Sequence, residues 1–486
     1  MNSRAADSRV YHATLFVAAC LLYTAGRAPF FGQWDSFDYL KQTVTHSLSD
    51  LGFGRPVFIG YNIALWEVSR RLFGLAVAQV DAVLMAGVII AGSLGILAFS
   101  GLAGRMLNGR AARMAVIALL LSPMYAVYSG FIMTEVPMLV VLTAAAYVLW
   151  TGGERHPTLS CLAGGTLFGL AVGIREQAIT LGAGFLWILA VRRSGLVARV
   201  RAYCLFGGIA AVVIAAPVLA LYLHNPALFF ARTQTWLHSI PMGESHFWGN
   251  LQASLLFALA VCPGAWLGLL AAGTHRCRHA PAPRHGTEEA AGRNIPHPVW
   301  GLFCGILLPL AALLRDADVQ IHPRYAMIIL PGAIILCANL YRRWLPGRKA
   351  AVGWVLLQFA VFSVAQVGIM PLRQIQREKR EFARLVMKSV PDSALIIAGG
   401  YSPILDYYRG IGERPAWYIL WSGWGWNRRA VESTIRGAWT QDQPVYLCNG
   451  PYGWLYFEDE WLDLYFIFKG CHSEQIAPGI LRVFRR

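Results

Sequence analysis

The chain has 486 residues, 56% of them hydrophobic and only 14% charged, with a mean hydropathy of +0.47. Soluble domains carry about a quarter charged residues, so a soluble enzyme or binding module is excluded. The net charge of +16 does not mark a nucleic-acid binder, because the basic residues stand in short loops between apolar runs. In that position they set membrane topology.

The apolar runs approach the roughly 20 residues that a helix needs to cross a bilayer. They read as an α-helical polytopic membrane protein of about eleven transmembrane helices. The first span, 10–31, lacks a small-residue cleavage site and is an uncleaved helix rather than a signal peptide. A long polar loop, 32–78, follows it. Next come 79–100, 112–129 and 131–150, the short Gly-rich pair 159–173 and 177–191, and 203–223. After a loop at 225–250 the spans are 251–272, 299–314, 325–340 and 352–370. Glycines in the short pair let helices approach closely.

With the N-terminus inside, the cytoplasmic loops collect Arg105, Arg110 and Arg113, then Arg192, Arg193, Arg199 and Arg201, then Arg342, Arg343, Arg348 and Lys349. The outer turns hold far fewer basic residues, chiefly Arg175, Arg232 and Arg324. This bias places the 32–78 loop and the C-terminal region outside, in the periplasm if the cell is bacterial. The inner loop 274–297 is rich in Pro, Arg and His; a solvated linker is favoured there over a metal site at His275, His279 and His285.

Composition changes after residue 371, dividing a membrane domain, 1–371, from a small extracytoplasmic α/β domain, 372–486. Residues 373–384 read as an amphipathic connecting helix. Strand patterns lie at 394–398, 418–421 and 445–448, with a helix at 402–409. Gly399-Gly400 lacks the GxGxxG spacing of a nucleotide fingerprint. The aromatics Trp421, Trp424, Trp426, Trp439 and Trp454 suit domain core or interface anchors better than a sugar-binding surface. The nine cysteines include no CxxC or Cys/His ligand spacing. Most pack as small apolar residues inside spans; Cys448 and Cys471 lie on the oxidising side, where a disulfide is open to them.

Ionisable groups at membrane boundaries are costly, which makes them candidates for function. The outer loop holds Trp34-Asp35-Ser36-Phe37-Asp38-Tyr39, and in a helix the two carboxylates share a face. Gly54-Arg55-Pro56 then leads into an amphipathic stretch, 57–73, expected along the outer interface with Trp66 and Phe73. Three further groups lie on the same side: Thr134-Glu135-Val136-Pro137, Arg175-Glu176, and His322-Pro323-Arg324-Tyr325. Each has an ordinary reading. Thr134 and Glu135 suit a helix cap, Arg175 can pair with Glu176 or snorkel, and Arg324 can anchor at the interface. Acids and arginines gathered on one face favour a site.

The order of these motifs resembles the GT-C glycosyltransferases, most closely the family 39-like bacterial relatives of protein O-mannosyltransferases and aminoarabinose transferases. The resemblance rests on the acidic loop motif, the Gly-Arg-Pro exit, the Glu-x-Pro turn at Glu135 and Pro137, and the Arg-Tyr pair at Arg324 and Tyr325. It implies transfer of a sugar from a polyprenyl-phosphate donor to an envelope glycan, lipid or protein acceptor on the outer face, with inversion. It also implies roles. Asp35 is the first choice as general base and Asp38 the second. Glu135 orients the acceptor or assists Asp35, with or without a divalent cation such as Mg or Mn. Arg175 and Arg324, and less strongly Arg55, hold the lipid phosphate, and His322 and Tyr325 contact substrate. Protein mannosyltransferases typically carry Asp-Glu in this loop, whereas Asp35 is followed by Ser36, which leaves the base and the acceptor type open. A transporter or glycolipid flippase is the rival reading, but it needs broken helices at the bilayer midplane and often internal repeats. A ligase or polymerase of lipid-linked glycans shares the same parts.

Overall fold

The structure, a computed structural model, describes residues 2–29, 34–49, 54–107, 109–152, 155–239, 252, 323–344, 348–420, 426–450 and 458–485. The chain folds as two compact units. One comprises 1–27, 51–58 and 85–367, and the other 28–50, 59–84 and 368–486. Most of the first outer loop therefore groups with the C-terminal region rather than with the membrane domain. The expected spans 251–272 and 299–314, the histidine-bearing loop, Trp421, Trp424 and Trp454 lie outside the described residues.

The first unit is helical. Among the described residues five helices are long and apolar enough to cross a membrane: Val77–Met106, Glu135–Gly152, Pro157–Ile174, Leu196–His224 and Ala351–Ser389. The protein is thus an integral membrane protein. Leu196–His224 buries only Ala202, Phe206, Ala210 and Leu221, while apolar Val212, Leu219 and Leu223 are exposed; such a surface suits lipid. Its inner face meets Pro157–Ile174 through glycine. A Cβ on Gly165 would stand 2.5 Å from the Phe206 carbonyl oxygen, and one on Gly169 2.7 Å from Val213 Cβ. The small residues let two backbones pack closely.

Three departures from the expected spans have local causes. The 112–129 span is two helices, Gly109–Leu120 and Pro123–Tyr128. Pro123 cannot donate to a continuous ladder and instead opens the second helix, where the Ser122 hydroxyl accepts from the Tyr125 amide at 3.4 Å. The 177–191 span begins as a 3-10 turn, Glu176–Leu181, because Arg175 is extended (φ −157°) and interrupts the helix before it. The 225–250 loop contains a helix, Pro226–Ser239, opened by Pro226 and by the Asn225 side-chain oxygen accepting from the Leu228 amide at 3.0 Å.

The second unit carries a five-stranded sheet: β1 (Leu395–Ile397), β2 (Tyr418–Leu420), β3 (Val445–Cys448), β4 (His472–Ala477) and β5 (Ile480–Phe484), in the order β2-β1-β3-β5-β4. β1 runs parallel to β2 and β3, and β5 runs antiparallel to β3 and β4. Helix Arg428–Thr440 places Val431, Ile435 and Ala438 on one stripe against Leu395, Ile397, Val445 and Leu447. Trp426 and Trp439 pack against this core, the structural role expected of them. Cys448 and Cys471 are both free thiols, so the disulfide left open by the sequence is not formed; Cys448 is buried in β3.

The connecting segment is one helix, Met370–Ser389, which buries Phe382, Ala383 and Val386; the Phe382 ring lies 4.7 Å from that of Tyr401. Helix Pro56–Phe73 leaves Leu72 and Phe73 about 70% exposed, but Trp66 is 1% exposed. Trp66 is therefore a buried residue and not the interface anchor expected. Its indole fills the interior, and the apolar surface of the helix is supplied by Val68, Leu72 and Phe73.

Candidate active site

Glu135, Arg175 and Arg324 come together in the first unit, at the ends of helical elements. Glu135 opens helix Glu135–Gly152, Arg175 closes helix Pro157–Ile174, and Arg324 lies in the 3-10 turn Pro323–Ile329. The Arg175 Nη1 donates to Glu135 Oε1 at 2.6 Å and to the Thr134 hydroxyl at 3.0 Å, while its Nε donates to Gln177 Oε1 at 2.8 Å. The Arg324 Nε stands 3.5 Å from the same Glu135 oxygen. All three charged side chains are at least nine-tenths buried.

Two guanidiniums on one carboxylate leave the cluster with a net positive charge. Charge-assisted hydrogen bonds in a dry setting are strong and geometrically specific. Glu135 Oε2 is buried and accepts no hydrogen bond among the described residues. An orphaned buried carboxylate oxygen costs free energy unless a ligand donates to it. Chemically, guanidiniums can pair with an anion and the Glu135 Oε2 can accept from a hydroxyl.

Thr134 and Glu135 do more than cap a helix, since both bind Arg175. Gln177, which the sequence reading passed over, fixes the other edge of the guanidinium; its only signal was its place two residues after Arg175. His322 lies outside the described residues, and of Tyr325 only the backbone, in the Pro323–Ile329 turn, is described. Arg55 is half-buried with a left-handed backbone (φ +46°), directly after Gly54 (φ +92°). That conformation is unfavourable for a non-glycine residue, and Pro56 then opens the next helix.

The acidic motif lies in the second unit, on helix Trp34–Thr45, with both carboxylates half-buried. Asp35 stands in the first turn of this helix. Asp38 is engaged at both oxygens: Oδ1 accepts from Gln42 Nε2 at 3.1 Å and Oδ2 from the Ser49 hydroxyl. The first bond lies within the helix, and the second ties the helix to the segment leaving it. The helix is anchored elsewhere by Lys41, whose Nζ lies 2.8 Å from Asp406 Oδ2; Arg409 holds the other Asp406 oxygen at 2.6 Å. The Phe37 and Tyr407 rings, 6.1 Å apart, complete this contact with helix Ser402–Gly410. Among the described residues no group of three or more His, Cys, Asp or Glu is placed to hold a metal ion.

The chain is similar to known proteins in part of its sequence and in its fold. Residues 79–221, which include Glu135 and Arg175, match the family model described as dolichyl-phosphate-mannose-protein mannosyltransferase. No curated protein matches the chain. Among solved structures the chain is similar to ArnT from Cupriavidus metallidurans bound to undecaprenyl phosphate, with 15% identity, 97% of each chain covered and a TM-score of 0.63. It is also similar to the Archaeoglobus fulgidus oligosaccharyltransferase in complex with Zn and sulfate, at 12% identity and a TM-score of 0.48, covering 89% of this chain and 68% of that one. For AglB of the same organism, in complex with an inhibitory peptide and a dolichol-phosphate, the values are 12% and 0.47, covering 99% and 74%. The ArnT likeness runs through both chains, from the membrane helices into the C-terminal sheet domain. The chain thus has a fold similar to that of ArnT over nearly its whole length, and residues 79–221 within it carry the mannosyltransferase family match.

Proposed function

We propose that the protein is a glycosyltransferase that moves a sugar from a polyprenyl-phosphate donor to an envelope glycan, lipid or protein acceptor on the outer face of a bacterial cytoplasmic membrane. The observation that carries this reading is the buried Glu135–Arg175–Arg324 cluster. The family match across residues 79–221 supports it, as does the fold shared with a protein bound to undecaprenyl phosphate.

In this proposal the bond from the anomeric carbon to the phosphate oxygen breaks as the acceptor oxygen attacks, and the acceptor proton passes to a carboxylate. The leaving phosphate needs no protonation, so a general base and an anion clamp suffice. Asp35 is the base. Asp38 is the second choice and also positions the helix, accepting from Gln42 and Ser49. Arg175 and Arg324 neutralise the lipid phosphate as its bond breaks, with Arg55 a weaker third. The orphaned oxygen of Glu135 orients the acceptor or assists Asp35, and His322 and Tyr325 contact substrate. Single displacement inverts the anomeric centre; a product retaining the donor's configuration contradicts this step.

The test is purified protein in nanodiscs with a panel of polyprenyl-phosphate sugars and envelope extract. Release of free polyprenyl phosphate from at least one donor, coupled to a glycosylated acceptor, supports the proposal. Donor that crosses the bilayer unhydrolysed supports the flippase instead. Chelation in the same assay separates a base acting alone from one assisted by Mg or Mn.

A further inference from the structure

The second unit holds a second polar site on which the proposed chemistry makes no demand. A cavity of about 130 Å³ is lined by Asp81, Arg380, Arg384, Tyr407, Tyr408 and Glu413. Two carboxylates and two guanidiniums share this small volume, yet among the described residues Asp81, Arg384 and Glu413 form no ion pair within 4.0 Å. Arg380 is anchored by donating to the Pro29 carbonyl at 3.4 Å. Burial raises the Tyr407 and Tyr408 phenols above their ordinary value, so both remain hydrogen-bond donors.

The mixture of charges restricts the ligand. A simple anion meets Asp81 and Glu413, and a metal cation meets two arginines; each repulsion is costly in a partly desolvated pocket. A zwitterion satisfies both pairs at once. The volume falls below the roughly 300 Å³ at which ordinary small-molecule pockets begin, which suits a headgroup and not a glycan. Asp81 stands in the first turn of the apolar helix Val80–Met106, and the end of a membrane-crossing helix is where lipid headgroups are met.

We propose that this cavity binds the headgroup of a zwitterionic aminophospholipid, with the phosphate diester on Arg380 and Arg384 and the primary ammonium on Asp81 and Glu413. The occupant is a structural lipid of the outer leaflet, separate from donor and acceptor. The reading rests on the chain spanning a membrane, not on its being a transferase.

Native mass spectrometry tests this on the full chain released from membranes of equimolar dioleoyl phosphatidylethanolamine, phosphatidylcholine and phosphatidylglycerol. The ethanolamine lipid is expected to be retained roughly three- to fivefold over the other two, the scale of one or two solvent-facing charge pairs. Arg384→Gln should abolish the preference, and Glu413→Gln should shift retention toward phosphatidylglycerol. Both positions are exposed, so these variants leave the core intact. Retention of the three lipids in bulk proportion by the wild type, or an unchanged preference in both variants, overturns the proposal. So does binding of soluble glycerophosphoethanolamine without enrichment of the diacyl lipid, which would make the ligand a free zwitterion. None of these readings depends on sugar transfer.

Discussion

At Glu135 a single carboxylate oxygen takes both Arg175 and Arg324, and the pair with Arg175 is 4% and 2% exposed. Removing one partner from a buried pair strands the other charge, which costs about 3–5 kcal/mol. Arg175→Met should therefore lower the thermal stability of the protein in detergent by that order, and Arg175→Met with Glu135→Met should recover part of the loss. Losses that simply add would show that the two groups do not interact. Glu135 and Arg175 were legible in the sequence because a charged group at a span boundary is rare. Thr134 was legible only as a helix cap, and Gln177 and Ser49 not at all, since hydroxyls and amides in turns are commonplace and only the fold reveals which of them meets a guanidinium or a carboxylate. A thiol gives a further test. Cys448 is fully buried and its ionisation is pushed well up by that burial, whereas Cys471 is part-exposed. Maleimide should label Cys471 in the native protein and Cys448 only after unfolding; a disulfide would leave both unlabelled until reduction.

The elements that were easiest to read are those whose sequence leaves no alternative. β1 and β3 are continuous apolar runs buried on both faces. β4 and β5 escaped because His472–Ala477 is almost wholly exposed and shows no alternation; only Pro478-Gly479, with Gly479 at φ +74°, marks the hairpin. That Pro157–Ile174 packs closely was legible as glycine, but its partner, Leu196–His224, was not. Gly165→Val should disrupt this pairing, since a Cβ there sits 2.5 Å from backbone; a cost of about 1–3 kcal/mol is expected, read as a fall in the unfolding midpoint. Unchanged stability would mean the helices are free to separate. Helix Trp34–Thr45 was anticipated as a shared face for Asp35 and Asp38. Its anchor at Asp406 was invisible, because Lys41 and Asp406 are 365 residues apart. Asp406→Asn weakens the hold of Lys41 and Arg409, and faster amide exchange across 34–45 is the expected outcome.

For the whole molecule, the proposed topology, with the N-terminus inside and the sheet domain outside, is the one that charge asymmetry across the short loops predicts. Labelling of single cysteines at Ser473 and at Ser3 by an impermeant reagent should modify only the first from the outer side; the reverse pattern would invert the proposed topology. The fold was legible at this scale because bilayer-length runs and a late change in composition leave few architectures. The grouping of 28–50 and 59–84 with residues 368–486 was not, since tertiary contacts carry no local pattern. The central claim is that Asp35 is the base of a sugar transfer and Asp38 a support. Its most direct test is release of free polyprenyl phosphate by wild type, Asp35→Asn and Asp38→Asn, with folding and donor binding shown intact. Loss of a positioned base costs about a hundredfold or more. The account predicts a loss of that size for Asp35→Asn and a much smaller one for Asp38→Asn. Equal release by all three proteins would contradict it.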